Sequence, residues 1–352
     1  MRTKPNRPNT PRVNDEESHG PEGATVVKDW ATRTVPATRR PMVPFRSIKQ
    51  RWDATLESLC LLWRVMDPVR DAVLIAAGLG TRMFPASAFS SKESLPLVDV
   101  PLLTHLLFEA KEAGVDRVHI VTSPSKSFDS LLEDRRDLHA LRPHLDESLF
   151  HAVADLEVHV HLQHRPRGVG NAIEAALHAV DGPFLVMLGD TLMMDMHAPV
   201  DDFTPSGCSK QLIEAYMNTG EATVGLMEVD ESVVSQYGIV ALEGQRIHHI
   251  VEKPTLAAAP SRLALCGRYV FPKETENLLQ TYSYEAHGDL QSIALLQHWM
   301  DDGTLHGIVF EEAQWYDSGA PLLWLKAQVD HALRRPDYRD EFIEWLRHRL
   351  VD

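Results

Sequence analysis

Residues 71–101 read DAVLIAAGLGTRMFPASAFSSKESLPLVDVP, and this stretch decides the fold class. Asp71 opens a short apolar run that ends at Ala77, with the length and composition of a buried parallel strand. Gly78, Leu79, Gly80, Thr81 and Arg82 follow directly. Small residues at such a place let backbone N–H groups approach an anion closely, and Arg82 and Lys92 add positive charge. A strand that delivers a glycine loop with flanking cations suits a nucleoside triphosphate, whose phosphates need oriented donors and little side-chain bulk.

Two well-known phosphate loops are excluded by spacing. A dinucleotide fingerprint needs a third glycine where this chain has Met83, and a Walker A loop needs Gly-Lys-Ser/Thr where Gly80 is followed by Thr81 and Arg82. A plain strand-to-helix turn would account for two glycines alone. Arg82, Lys92 and Pro96 favour the anion-binding reading over it.

Working outward, Ala77-Gly78-Leu79-Gly80-Thr81-Arg82, Pro85 and Lys92-Glu93-Ser94-Leu95-Pro96 resemble the signature of the sugar-1-phosphate nucleotidylyltransferases. Within that family the Lys-Glu pair is similar to the bacterial and archaeal uridylyltransferases, where thymidylyltransferases usually carry Lys-Gln. The resemblance runs from residue 71 to the C-terminus. It implies a Rossmann-like α/β nucleotidyltransferase fold, with a mixed, mostly parallel sheet flanked by helices and further helices at the C-terminus. It also implies that Ala77, Gly78, Gly80 and Glu93 bind nucleotide, and that Arg82 and Lys92 are catalytic.

Downstream, helical stretches over 101–114 and 168–180 alternate with apolar strands over 117–122, 157–163 and 183–190, a pattern of parallel βαβ units. Ligands of such sheets sit beyond the carboxyl ends of the strands, which brings the Gly78 loop, Gln163 and Asp190 to one cleft. Gln163 precedes Arg167-Gly168-Val169-Gly170-Asn171-Ala172, similar to the family segment that reads the base. A glutamine amide pairs with both a donor and an acceptor on a pyrimidine edge. By resemblance, Gln163 reads uracil while Gly168 and Gly170 let base and ribose lie against backbone. A polar strand end before a helix is the alternative for this segment taken alone.

Leu188-Gly189-Asp190 closes a buried strand, where a carboxylate meets a metal at the sheet edge. The resemblance pairs Asp190 with Asp317 of Trp315-Tyr316-Asp317-Ser318-Gly319 as ligands of Mg²⁺. Tyr237-Gly238-Ile239-Val240 and Val251-Glu252-Lys253-Pro254 match the sugar-binding segments of the family, which implies Lys253 as a third catalytic residue, on the sugar phosphate, and Gly238 and Glu252 at the sugar. Gly267-Arg268-Tyr269 matches a further segment beside them. One departure lies at Gly288-Asp289-Leu290-Gln291-Ser292-Ile293, where the family has Gly-Glu-Ile-Gln-Leu-Thr. Asp289 is one methylene shorter, a difference of about 1.5 Å that matters for a buried carboxylate reading hydroxyls. Gly189 replaces a proline common in close relatives.

The 352 residues, 44% of them hydrophobic, can bury one large or two modest cores. A net charge of −15 excludes a general nucleic-acid binder, and no apolar run is long enough to span a membrane. Cys60, Cys208 and Cys266 are far apart and lack metal-ligand spacing, as free thiols of a cytoplasmic protein would be. His159 and His161 share a strand face near His164, and without a third ligand at a known spacing they are read as strand positions, not zinc ligands.

The first 50 residues carry ten Lys or Arg against five Asp or Glu, a balance of +5 that leaves −20 on the rest. With Pro5, Pro8, Pro11, Pro21, Pro36, Pro41 and Pro44, residues 1–46 are expected to be a disordered basic tail. Residues 47–70 are expected to be an amphipathic helical extension, with Trp52, Leu56, Leu59, Cys60, Trp63 and Met66 in one stripe. The nucleotidyltransferase domain then fills 71–352, with residues 321–351 forming two helices split near Pro336 that serve packing and a dimer or tetramer. The expected reaction is Mg²⁺-dependent uridylyl transfer from UTP to a sugar 1-phosphate, most naturally glucose 1-phosphate. The rival readings are another nucleotide and sugar pair, such as dTTP, or a catalytically silent nucleotide-sugar-binding homologue.

Overall fold

The computed structural model describes residues 67–351. The expected basic tail and residues 47–66 of the expected amphipathic helix lie outside them, and residues 67–70 enter the first strand as irregular backbone. In chain order the strands are β1 (Asp71–Ile75), β2 (Pro96–Leu97), β3 (Val100–Pro101), β4 (Arg117–Thr122), β5 (Glu157–Leu162), β6 (Phe184–Leu188) and β7 (Thr191–Met194). They continue with β8 (Ala222–Glu228), β9 (Gly238–Glu243), β10 (Arg246–Glu252), β11 (Leu263–Phe271), β12 (Leu305–Val309) and β13 (Gln314–Asp317).

The main sheet has nine strands in the order β5-β4-β1-β6-β11-β8-β12-β10-β9. β5, β4, β1 and β6 are mutually parallel, and of the nine only β10 and β11 run against the others. The sheet is therefore mixed and mostly parallel by direction. β11 is wedged antiparallel between β6 and β8, an insertion that the alternation of strands and helices does not disclose. Two small ladders, β2 with β3 and β7 with β13, stand apart from it.

Because β1 lies between two partners and under helices on both faces, its apolar run is continuous instead of alternating. Ala72 and Leu74 pack among Leu103, Leu106 and Leu107 of the helix Leu102–Glu112 and Leu212 of the helix Cys208–Thr219. Val73 points to the other face, among Ala172, Ile173 and Ala176 of the helix Val169–Leu177. Truncating a side chain as buried as Leu74 costs about 2–5 kcal/mol.

One polar contact pins the layers together. Arg268 and Glu109 are essentially fully buried, and Nε and Nη2 of Arg268 donate to the two Glu109 oxygens at 2.8 Å each. Ser209 Oγ donates to the same carboxylate, so β11 and two helices share one charge pair. The Gly267-Arg268-Tyr269 segment thus acts inside the fold. At the C-terminus, the helix Pro321–Arg334 stops at Arg335, which lies extended before Pro336 as a residue preceding proline prefers, and Arg339–Val351 forms the last helix.

Candidate active site

The carboxyl ends of β1 and β6 are drawn together by Gly189, whose N–H donates to Ile75 O at 2.8 Å. A Cβ on Gly189 would lie 2.6 Å from that oxygen, so glycine is required by packing, and a proline would also lack the donor. This closeness sets Asp190 beside the loop that follows β1. Lys92 Nζ then reaches Asp190 Oδ2 at 2.7 Å. The loop turns at Gly80, left-handed at φ 64°, and Ser87 Oγ donates to its carbonyl at 2.7 Å. Gly78 differs, since a Cβ there would meet no protein atom within 4 Å, and packing within the chain does not explain that glycine. Ala77 is buried just before it.

Glu93 lies inside the protein. Its side chain is fully buried, and its carboxylate accepts from Lys126 Nζ at 2.9 and 3.2 Å, while the same ammonium donates to Ala76 O at 2.8 Å. Glu93 thus anchors a strut from Lys126 to the backbone at the root of the glycine loop. Burial works against both charges, raising Glu93 and lowering Lys126, and each is held by the other. Lys126 is the residue that sequence reading missed. No local pattern marks it, since Ala76 and Glu93 lie 50 and 33 residues away in the chain.

Gln163, at the carboxyl end of β5, is buried, and Nε2 donates to Gly168 O at 3.2 Å and Asn171 Oδ1 at 3.0 Å. Both amide hydrogens are spent within the loop, so the amide does not pair with a donor and an acceptor together as its side-chain chemistry had allowed. The glycines of this loop also have another reason. A Cβ on Gly168, where φ is +92°, would lie 2.3 Å from Leu290 O, and one on Gly170 would lie 2.3 Å from the Leu290 side chain. Gly170 N–H donates to Leu290 O at 2.9 Å, and Leu290 N–H to Arg167 O at 3.1 Å. The base loop and the segment carrying Asp289 are therefore packed against each other.

Asp190 and Asp317 come together through the β7–β13 ladder, in which Thr191 faces Asp317 and Ser318 N–H donates to Asp190 O at 2.9 Å. Burial raises the Asp317 carboxyl, the negative charge of Asp190 raises it further, and Arg82, Lys92 and the Gly319 N–H oppose this. A Cβ on Gly319 would lie 2.5 Å from an Arg82 nitrogen and 2.6 Å from Asp317 Oδ1, which places the guanidinium beside that carboxylate. Two carboxylates that repel each other are a fitting oxygen donor set for a hard divalent cation. Among the described residues no group of three or more His, Cys, Asp or Glu is arranged around a metal position, so further ligands would have to come from substrate and water.

On the other flank, Gly238 of β9 faces Glu252 of β10, and a Cβ at Gly238 would lie 2.9 Å from Ile293 and 3.0 Å from Leu265. Lys253 has φ 46°, left-handed for a side-chain-bearing residue, and its N–H donates to Tyr237 O at 2.9 Å. This turn sets Lys253 Nζ 3.2 Å from Glu252 Oε1, with both side chains more than half exposed. Tyr237 in turn packs on Trp315, ring centroids 4.5 Å apart. Asp289 is exposed, 3.8 Å from Arg167, and is not the buried carboxylate that the sequence suggested. His159 and His161 pack with His119 of β4, where His119 Nδ1 and His161 Nε2 are 3.1 Å apart and Asp71 accepts at His119 Nε2.

Known proteins resemble this chain over most of its length. The family model described as nucleotidyl transferase matches residues 71–332. A UTP--glucose-1-phosphate uridylyltransferase of Staphylococcus haemolyticus is 31% identical over 294 residues, covering 80% of this chain and 99% of that protein. A UDP-glucose pyrophosphorylase structure from Acinetobacter baumannii superposes with a TM-score of 0.67 at 28% identity, covering 80% of this chain and 99% of the other. A UTP-bound structure of the enzyme from Acinetobacter baumannii gives a TM-score of 0.65 at 30% identity, over 79% of this chain and 98% of the other. With a glycine loop behind β1, a cation pair and two carboxylates at one end of the sheet, and relatives matched over almost their whole length, this chain belongs to the nucleotidyl transferase family.

Proposed function

We propose that this chain transfers a uridylyl group from UTP to glucose 1-phosphate, releasing pyrophosphate and UDP-glucose. The observation that carries the reading is the meeting of Lys92 with Asp190, 2.7 Å apart, in a chain that matches curated uridylyltransferases over almost their whole length. Gly78 and Gly80 bring backbone N–H groups to the phosphates, and the room beside Gly78 is what a ligand needs and a side chain would fill. Arg82 and Lys92 balance the charge that builds on the leaving pyrophosphate. Lys253 holds the phosphate of the sugar, Glu252 accepts from its hydroxyls, and Asp289 approaches from the Arg167 side.

An oxygen of the sugar phosphate attacks the α-phosphorus in line, its negative charge making a general base unnecessary. The residues contribute by positioning both partners and excluding misaligned approaches. Asp190 and Asp317 would hold Mg²⁺, which when bound neutralises triphosphate charge. Gln163 faces the base. Cytoplasmic catalysis and assembly as a homo-oligomer belong to the same proposal, the latter supported by exposed Leu322, Leu325 and Trp345 on the two C-terminal helices. Among the described residues no helix is long and apolar enough to cross a membrane.

The test is pyrophosphate release by the full chain with Mg²⁺, crossing UTP, dTTP, ATP, CTP and GTP with glucose, galactose and N-acetylglucosamine 1-phosphates. Clear preference for UTP with glucose 1-phosphate is expected, and activity abolished by chelation. Preference for another pair, or no release with any, would overturn it.

A further inference from the structure

The hydrogen bonds around Gln163 run in one direction. Its nitrogen carries two hydrogens, and both are committed, to Gly168 O at 3.2 Å and Asn171 Oδ1 at 3.0 Å. A carbonyl oxygen only accepts, so Gly168 dictates which end of the amide is nitrogen. Asn171 is oriented in its turn, because Nδ2 lies 3.3 Å from the Glu174 carboxylate, another obligate acceptor. The same Glu174 oxygen accepts from Tyr284 Oη at 2.8 Å, and the Arg167 guanidinium lies 4.7 Å from the centre of the Tyr284 ring. Oε1 of Gln163 is left as the amide atom with no hydrogen-bond partner among the described residues.

We infer that Asn171, Glu174 and Tyr284 are positioning residues that hold Gln163 with its oxygen toward the base, and that this sets the choice of an imide pyrimidine over an aminopyrimidine. The inference rests on Gln163 reading the base in the reaction proposed above. Uracil offers its N3–H to that oxygen. Cytosine presents a lone pair at the same atom, so two acceptors would face each other with no proton between them. A site whose polar group is left unpaired rejects the wrong ligand strongly, and here the amide cannot turn over without breaking its bonds to Gly168 and Asn171. Thymine shares the imide, so the relay does not separate UTP from dTTP.

The experiment compares kcat/KM for UTP and for CTP, with glucose 1-phosphate, in the full chain and in Asn171→Leu and Asn171→Asp. The unaltered chain is expected to favour UTP by about 1000-fold or more. Asn171→Leu is expected to shrink that preference about tenfold, with KM for glucose 1-phosphate unchanged. Asn171→Asp keeps an acceptor toward Gln163 but sets a second carboxylate beside Glu174, so it is combined with Glu174→Gln, which restores a donor to it, and the pair is expected to stay within about threefold of the unaltered ratio. An unmoved ratio in an active Asn171→Leu protein overturns the relay and leaves the proposed function standing. If the unaltered chain, folded, does not use UTP, the proposed function falls and the relay falls with it. Should Asn171→Leu fail to fold, Glu174→Ala decides: the same loss of preference supports the relay, and an unchanged preference overturns it.

Discussion

On the proposed nucleotide side of the cleft, Lys92 is 7% exposed, Glu93 0% and Gln163 8%; Lys92 and Glu93 are tied to partners distant in sequence, and Gln163 is held within its own loop. On the proposed sugar side, the side chains of Lys253, Glu252 and Asp289 are 62%, 52% and 53% exposed, and their ion pairs are local or long. Exposed pairs of this kind contribute about 0–1 kcal/mol, whereas a buried charge stripped of its partner costs several times that. One half of the cleft is thus built before any ligand arrives, and the other is left for the ligand to order. Such a division suits a reaction in which a triphosphate is held rigidly in line while an acceptor is drawn onto it.

The largest expected effect tests the rigid half. Lys92→Ala should lower kcat/KM in a pyrophosphate-release assay by about 1000-fold, since a fixed charge near the reacting phosphates is lost. A loss below tenfold would break the contrast between the halves. Next, Lys126→Met leaves the Glu93 carboxylate buried without its ion pair, and urea unfolding should show a loss of about 3 kcal/mol. Adding Glu93→Gln should recover most of that loss.

On the sugar side, Lys253→Ala should raise KM for glucose 1-phosphate about tenfold while leaving the urea midpoint unmoved, as its exposed pair adds little to folding. Equal damage to KM for UTP would sharpen the comparison against two separable halves. A smaller loss of stability than that of Lys126→Met comes from acid. Burial holds His161, next to the base strand, down to about 4, and His105 and His331 down to about 3, all below the ordinary histidine range. Folded-state values lower than unfolded ones mean full stability above pH 6.5, lost as pH falls from there toward 4. Unfolding at pH 5 should therefore require less urea than at pH 7, by about 2 kcal/mol of stability for a single buried histidine such as His105. Smallest of all, Asp289→Glu should change kcat/KM less than about threefold, because an exposed carboxylate has room to shift.

Legibility in the sequence followed the range of the interactions. β1, its glycine loop and the end of β6 at Asp190 were readable because apolar runs and glycine turns are local patterns. The break near Pro336 was readable for the same reason, through the restriction that proline places on Arg335. Gly168 and Gly170 were recognised as special, yet their cause is Leu290, which no local pattern connects to them. Glu93 was likewise marked out, but its partner Lys126 lies 33 residues away and makes it an interior anchor.

By itself the sequence determined the class of chemistry: a buried strand, a small-residue loop, fixed cations and the carboxylate closing β6 are consequences of residue type and spacing, and the family resemblance added Asp317. The tertiary structure alone decided which of those groups lie inside the protein and which stay exposed. Burial and hydrogen-bond direction depend on which segments are packed together: the Lys126 ammonium holds Glu93 inside, and the Gly168 carbonyl with Asn171 leaves Gln163 a single acceptor.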